Sequence, residues 1–153
     1  MQGFYSGEYR HSLDAKSRVV LPSKFRKNLD KSVVIAPSLD RCLTIYTPEG
    51  FEKFYENLKT LPALNKKARD MVRYFIGNAF DVDIDSQGRI ILPQKLKDTA
   101  NITKDVVYVG VGSTIELWGA EEYDHQEEEV TRDAVNDIAA ELSDKDGISI
   151  PFI

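Results

Sequence analysis

The chain has 153 residues, of which 42% are hydrophobic and 29% are charged, and its formal net charge is −5. This is the composition of one ordinary globular domain, and it excludes a disordered or collagen-like chain. The longest uninterrupted apolar run has four residues, which excludes a membrane-spanning helix, and the single cysteine fits a reducing cytosol.

Charge is divided unevenly along the chain. Residues 1–77 contain 14 Lys/Arg and 8 Asp/Glu, a net charge of +6, whereas residues 78–153 contain 6 and 17, a net charge of −11. Eleven of those carboxylates lie between Glu121 and Asp146, where we expect a solvated helix face. Because salt screens exposed charges beyond about 8 Å, this acidic segment need not cancel a basic face elsewhere.

The sequence contains an internal repeat. The segment Asp14-Ala-Lys-Ser-Arg18-Val-Val-Leu-Pro22-Ser-Lys-Phe25 returns 71 residues later as Asp85-Ser-Gln-Gly-Arg89-Ile-Ile-Leu-Pro93-Gln-Lys-Leu96. Apolar segments after each copy also correspond, such as 43–46 with 115–118. Two copies are too few for a solenoid, so the pattern indicates a duplicated half-fold whose copies pair as a pseudo-dimer.

Each copy is predicted to be mainly β-strand. Residues 80–85 alternate between apolar and polar side chains, as in a strand with one buried face. A turn follows at 86–88, and a second short strand follows at 89–92. Pro22 and Pro93 then end the short strand and start a short helix, because proline lacks the N–H of a sheet ladder but suits the first helical turn. Two further strands follow in each copy.

Three longer helices are predicted outside the copies. Apolar residues at helical spacing indicate one helix from Phe51 to Leu58 and another from Ala68 to Ala79. A third is predicted from about Glu121 to Leu142. The short apolar tail, 148–153, is expected to pack either on its own chain or against a neighbouring subunit.

The repeated Asp and Arg are the strongest candidates for a functional site. We expect Asp14 and Asp85, with Gly88, to stabilise their turns. Arg18 and Arg89 are predicted to bind DNA, because a guanidinium presents five donors in a fork that suits phosphates and the guanine edge. The other candidate DNA-binding residues are the neighbouring cations Lys16, Lys24, Arg26, Lys27, Lys95 and Lys97. Copy one is the more basic, so it should dominate if both copies bind.

Two Asp-x-x-x-Arg units about seventy residues apart, each followed by apolar residues and Leu-Pro, resemble the MraZ family of bacterial transcriptional regulators. The opening segments Phe4-Tyr-Ser-Gly7 and Tyr9-Arg-His-Ser-Leu-Asp14 also fit, and the resemblance covers essentially the whole chain. It implies a mainly β, α+β fold: a swapped-hairpin, double-split β-barrel built from two AbrB-like halves. The family has a glycine before the motif arginine, and Ser17 replaces it in copy one. This change can alter the turn and therefore the direction of the Arg18 side chain.

The resemblance also suggests how the chain is organised and what it binds. It implies ring-like homo-oligomers that bind short direct repeats of double-stranded DNA upstream of a cell-division and cell-wall gene cluster. The expected parts, forming one globular unit, are a first AbrB-like half at 1–50, a helical connector at 51–79, a second AbrB-like half at 80–121, and an acidic C-terminal helix with its tail at 122–153.

The leading functional hypothesis is a sequence-specific DNA-binding transcriptional regulator in the cytoplasm, associated with the nucleoid. The alternative is an oligomeric protein-interaction module of the same fold, antitoxin-like or an adaptor, with no specific DNA target. An enzyme ranks lowest, because phosphate-binding loops and nucleophile motifs are missing from the sequence.

No cofactor, metal, membrane or small-molecule substrate is expected. The run Asp81-x-Asp83-x-Asp85 lacks the glycine and glutamate of a calcium loop, since Ser86 and Leu92 occupy those places. Cys42 is expected to be a buried thiol.

Overall fold

The structure, a computed structural model, describes residues 3–151. The predicted first half and the predicted tail each extend two residues beyond that range, so their ends at 1–2 and 152–153 lie outside the described residues. The chain forms two compact units, the first ending at Ala120 and the second starting at Glu121. None of the helices within 3–151 is both long and apolar enough to cross a membrane.

The secondary structure alternates short strands with short helices. In the first unit the order is β1 (Tyr5–Ser12), β2 (Arg18–Val20), α1 (Ser23–Arg26), β3 (Ser32–Pro37), β4 (Leu43–Tyr46), α2 (Pro48–Leu58), α3 (Lys66–Gly77), β5 (Phe80–Asp83), β6 (Arg89–Ile91), α4 (Gln94–Thr99), β7 (Asp105–Gly112) and β8 (Ile115–Gly119). Two helices follow, α5 (Ala120–Glu129) and α6 (Arg132–Asp144). The predicted mixture of strands and helices is confirmed.

The strands of the two repeats are exchanged. A six-stranded sheet has the order β1-β7-β8-β4-β3-β5, and β2 pairs with β6 in a separate two-stranded sheet. The first repeat's β1 therefore pairs with the second repeat's β7, while the second repeat's β5 pairs with the first repeat's β3. This exchange confirms the predicted swapped-hairpin fold of two interlocked halves.

Equivalent residues of the two repeats face each other at two places. Val19 pairs with Ile90 in the β2–β6 sheet, and these residues occupy the same position of the repeat. Thr44 pairs with Glu116 where β4 meets β8, again at matching positions. A pseudo-two-fold axis therefore passes through both strand pairs and relates one half to the other.

The core of the first unit is built from both repeats. Its fully buried side chains include Val19, Leu21, Phe25, Ile35, Leu43, Ile45, Ile90, Leu92, Leu96, Tyr108, Ile115 and Leu117. The Phe25 ring is nearly perpendicular to two tyrosine rings of β1, with centroids 5.6 Å from Tyr5 and 5.2 Å from Tyr9. These contacts fix α1 against β1, because edge-on aromatic pairs favour one relative orientation.

The predicted helix starts at the two prolines are confirmed. Pro22 and Pro93 are the residues that cap α1 and α4, with φ of −54° and −58°. The connector helices are also confirmed. Their first turns are capped by the side chains of Thr47 in α2 and Asn65 in α3, which accept backbone N–H groups.

The single C-terminal helix predicted from about Glu121 to Leu142 is wrong. The structure has two helices here: α5 ends at Glu129, and α6 begins at Arg132. Thr131 has an extended backbone, with φ −81° and ψ 170°, and its hydroxyl accepts the N–H of Ala134. This N-cap starts a new helix and satisfies an amide that a continuous helix would have bonded internally.

We expect Tyr108→Phe to stabilise the protein. The Tyr108 hydroxyl is buried and has no hydrogen-bond partner among residues 3–151, so its removal relieves a desolvation cost of about 1 kcal/mol. Tyr5→Phe is the matched control, because the buried Tyr5 donates to the Asn28 carbonyl oxygen at 3.2 Å. Its loss should lower the free energy of unfolding by about 1 kcal/mol in urea titrations. Equal destabilisation by both variants would contradict this assignment.

Candidate nucleic-acid interface

The first repeated motif forms a tight surface loop, residues 14–18, which we name loop 1. The Asp14 Oδ1 accepts the backbone N–H groups of Lys16 and Arg18, each at 2.9 Å. The Ser17 N–H donates to the Asp14 carbonyl at 3.0 Å, and the Asp14 N–H donates to the Arg18 carbonyl at 2.8 Å. These are the contacts of an Asx turn closed across the base of a hairpin.

Loop 2, residues 85–89, repeats this geometry. The Asp85 Oδ1 accepts the N–H groups of Gln87 and Arg89 at 2.9 and 2.8 Å. The Gly88 N–H donates to the Asp85 carbonyl at 2.9 Å, and the Asp85 N–H donates to the Arg89 carbonyl at 2.9 Å. The two loops are therefore built from the same set of bonds, although three of their five residues differ.

The residue before each motif arginine has a left-handed backbone. Gly88 has φ 76°, where glycine is favoured, and Ser17 has φ 60°. A non-glycine residue in this region carries a steric cost. The serine nevertheless keeps the turn seen in loop 2, so the altered turn that the substitution suggested does not occur.

Each motif arginine is held by the aspartate of its own loop. Nε of Arg18 donates to Oδ2 of Asp14, and Nε of Arg89 donates to Oδ2 of Asp85, both at 2.8 Å. The arginine side chains remain 28% and 24% exposed. Since Nε supplies one of five N–H donors, the bond orients the guanidinium and leaves the four N–H groups of the terminal nitrogens for other acceptors.

The two arginines lie on the same face of the two-stranded sheet. Arg18 is opposite Ile91 and Arg89 is opposite Val20, while the buried Val19 and Ile90 face the core between them. Val20 and Ile91 are 41% and 56% exposed. They belong to this face but were missed as site residues. A signal was present, because in a three-residue strand with a buried centre both flanking side chains point outward.

The remaining predicted cations are distributed around these loops. Lys24 and Arg26 lie in α1 and Lys27 caps its C-terminus, whereas Lys95 and Lys97 lie in α4. All are exposed except the half-buried Lys97, and the loop 1 residue Lys16 is exposed as well.

Two of these cations contact a loop of the other repeat. Nζ of Lys97 donates to Oγ of Ser17 at 2.7 Å. Nη1 of Arg26 lies 3.5 Å from the carbonyl oxygen of Gln87, beside Gly88.

The comparison with known proteins identifies the family. A sequence model described as "MraZ protein, putative antitoxin-like" matches twice, over residues 4–74 and 75–146, and each match contains one motif loop. The chain belongs to the MraZ family. The resemblance found from the motifs is thereby confirmed.

Two curated relatives support the assignment over most of the chain. A protein named transcriptional regulator MraZ from Lachnoclostridium phytofermentans is 43% identical over 140 residues, which is 92% of this chain and 96% of the relative. A protein of the same name from Clostridium tetani is 45% identical over 120 residues, 78% of this chain and 84% of the relative. Both are named for regulation of transcription and neither for a catalysed reaction, in agreement with the expectation that the chain is not an enzyme.

The remaining candidates for chemistry in this MraZ-family chain are potential metal ligands and the cysteine. Within residues 3–151, no group of three or more His, Cys, Asp or Glu side chains is placed to hold a metal ion. Cys42 is buried, and burial, together with the charge of Glu116, raises the pKa of its thiol to about 12. The thiol is therefore protonated at neutral pH, as expected for a structural cysteine.

The carboxylates of loops 1 and 2 make the stability of the folded protein depend on pH. The backbone N–H of Arg18 lowers the pKa of Asp14 below its ordinary value, and the N–H of Arg89 does the same for Asp85. A carboxylate with a lowered pKa stabilises the folded state above the pKa it has when unfolded. That contribution is lost as the pH falls through the folded-state pKa.

We therefore expect the variant Asp14→Asn/Asp85→Asn to have a lower urea midpoint than the wild type at pH 7, with the difference shrinking at pH 3. An asparagine can still accept the turn N–H groups, but it cannot form the ionic bond to arginine. Asp30→Asn, an exposed aspartate outside the loops, is the control. A constant difference between the double variant and wild type at both pH values would refute this account.

Proposed function

We propose that this chain regulates transcription, as its relatives' names state for them, by binding double-stranded promoter DNA through the face that carries loops 1 and 2. Arg18 and Arg89 contact base edges, and Lys16, Lys24, Lys27 and Lys95 contact phosphates. The protein acts in the cytoplasm, associated with the nucleoid. The observation that carries the proposal is the placement of two arginines, each bonded to the aspartate of its own loop, on one outward face of a two-stranded sheet.

The shape of this face suits a DNA groove. A two-stranded antiparallel ribbon fits the major groove, where each base pair presents its own pattern of donors and acceptors. The terminal N–H groups of an arginine match the O6 and N7 acceptors of guanine. Val20 and Ile91, exposed opposite the two arginines on the same face, add apolar surface of the kind that contacts the thymine methyl group.

Arginines and lysines contribute differently at this face. Each motif arginine is ion-paired with its own aspartate, so the pair adds little net charge and acts through the direction of its donors. The exposed lysines supply the net positive charge, because binding of phosphates by lysine releases counterions from DNA. Base recognition and attraction to the backbone are thus assigned to different residues.

One protomer presents a small surface, so we further propose that several protomers act together as a ring-like homo-oligomer. Direct repeats upstream of a cell-division and cell-wall gene cluster would then be bound by several subunits at once. Each additional contact is intramolecular, and the overall affinity can exceed that of one subunit by about 10²–10⁴.

A gel-shift titration with the DNA upstream of the protein's own gene, at 50 and 200 mM salt, tests the proposal. We expect retardation that depends on the DNA sequence and weakens with salt. A scrambled duplex of equal length is the control. No retardation at either salt concentration would overturn DNA regulation and favour the protein-interaction module.

Two substitutions should separate base reading from phosphate binding. Arg18→Ala should weaken binding to the cognate duplex by about 100-fold or more, because a lost contact of about 1–3 kcal/mol is repeated in each bound subunit. Lys24→Ala should weaken binding evenly across sequences and reduce the salt slope by about one unit.

Fluorescence anisotropy with labelled duplexes measures both effects. The matched control for the arginine is Arg73→Ala in α3, since Arg73 is also paired with an aspartate, Asp70, at 2.9 Å. Wild-type affinity of Arg18→Ala for the promoter would rule out the assignment of this arginine.

A further inference from the structure

Two cations form matching contacts across the pseudo-two-fold axis. Positions 17 and 88 are equivalent in the two repeats, and so are positions 26 and 97. Lys97 of the second repeat donates to Ser17 of loop 1, 80 residues earlier in the chain. Arg26 of the first repeat lies over Gly88 of loop 2. Each loop is therefore contacted by a cation from the short helix of the other repeat.

The residue types at these two contacts are complementary. Ser17 provides a hydroxyl oxygen that accepts a charge-assisted bond from the compact ammonium of Lys97. Gly88 provides no side chain, and Arg26 fills that space: a Cβ at Gly88 would lie 2.8 Å from Cδ of Arg26 and would overlap its guanidinium. Serine is thus matched with lysine, and glycine with arginine.

The backbone adds a second contact across the repeats at the same two residues. The Ser17 carbonyl accepts the N–H of Leu92 at 2.9 Å, and the Gly88 carbonyl accepts the N–H of Leu21 at 2.9 Å. Both left-handed residues are thus held from two sides by the opposite repeat. Because each directly precedes a motif arginine, these contacts fix the direction in which Arg18 and Arg89 leave the loop.

We propose that Lys97 and Arg26 are positioning residues, which orient the arginine of the opposite repeat for DNA recognition and do not serve as phosphate ligands. The proposal rests on the proposed function, since it concerns the same face. It also accounts for the serine in loop 1, because Lys97 donates to an oxygen at the position where Arg26 occupies the space that a side chain would take. Each matched pair therefore holds the arginine of one loop in place.

The test exchanges one matched pair for the other. The variants are Ser17→Gly, Lys97→Arg and the double variant Ser17→Gly/Lys97→Arg, none of which changes the net charge. The glycine relieves the left-handed backbone at position 17 but removes the hydroxyl bonded to Lys97, and the arginine replaces the compact ammonium that donates to this hydroxyl. Together they recreate the Gly88–Arg26 pair in loop 1, so the double variant should recover what each single variant loses.

Two measurements follow the series. Hydrogen–deuterium exchange reports the amides of residues 16–18, which are bonded within loop 1. Anisotropy reports the affinity for upstream DNA. We expect each single variant to speed the exchange and to weaken DNA binding by about tenfold, and the double variant to return within about threefold of wild type. The amides of residues 87–89 in loop 2 should not change and serve as the internal control.

The mirror series applies the same design to loop 2. Gly88→Ser alone should speed the exchange of the loop 2 amides 87–89. The new side chain meets Arg26, and the left-handed backbone at position 88 disfavours serine. Adding Arg26→Lys should restore the part of this loss of protection that comes from the contact with Arg26, while the backbone cost of the serine remains. Loop 1 then serves as the internal control.

The results that overturn the proposal are specific. If Lys97 is a phosphate ligand, Ser17→Gly changes neither the exchange of residues 16–18 nor the DNA affinity. Lys97→Arg then keeps the wild-type affinity and salt slope. If the losses of the single variants simply add in the double variant, the pairs are not matched and the proposal fails. Exchange needs no DNA, so a wild-type protein that does not bind its promoter would refute the proposed function while the exchange rates still decide the role of Lys97.

Discussion

The pairing of Val19 with Ile90 determines the rest of the site. Strands β2 and β6 have three residues each and pair with each other in a two-stranded sheet, one strand from each repeat. The central residue of each strand is fully buried, which fixes the register. A slip of one residue would reverse the faces, burying a motif arginine and exposing an apolar centre. The hydrophobic core therefore dictates that Arg18 and Arg89 share one outward face.

Duplication gives this small protein a symmetric surface without a second chain. Neither half can complete its sheet alone, because β1 of the first repeat pairs with β7 of the second, and β5 of the second repeat pairs with β3 of the first. The same exchange brings the short helix of each repeat to the loop of the other, where Lys97 meets Ser17 and Arg26 meets Gly88. The two loops are consequently tied to one framework, and an ion pair within each loop limits the freedom of the arginine that we propose reads DNA.

The sequence predicted what depends on local pattern and on the repeat. Alternation, the turn residues and Pro22 and Pro93 were sufficient for the strands and short helices, and the repeated motif was sufficient for the family. The break at Thr131 was missed because the apolar spacing of Val130, Ala134 and Ile138 continues across a cap that depends on one hydroxyl. The bond between Ser17 and Lys97 could not be predicted, since it joins residues 80 apart that meet only through the exchanged fold.

The central claim is that loops 1 and 2 place Arg18 and Arg89 so that both contact one DNA duplex. A crystal structure of the protein on its own upstream DNA tests this most directly. The account predicts that terminal nitrogens of both Arg18 and Arg89 lie within about 3 Å of base or phosphate acceptors, with β2 and β6 facing the groove. A complex in which both loops face away from the DNA, or in which another surface of the chain occupies the groove, would contradict it.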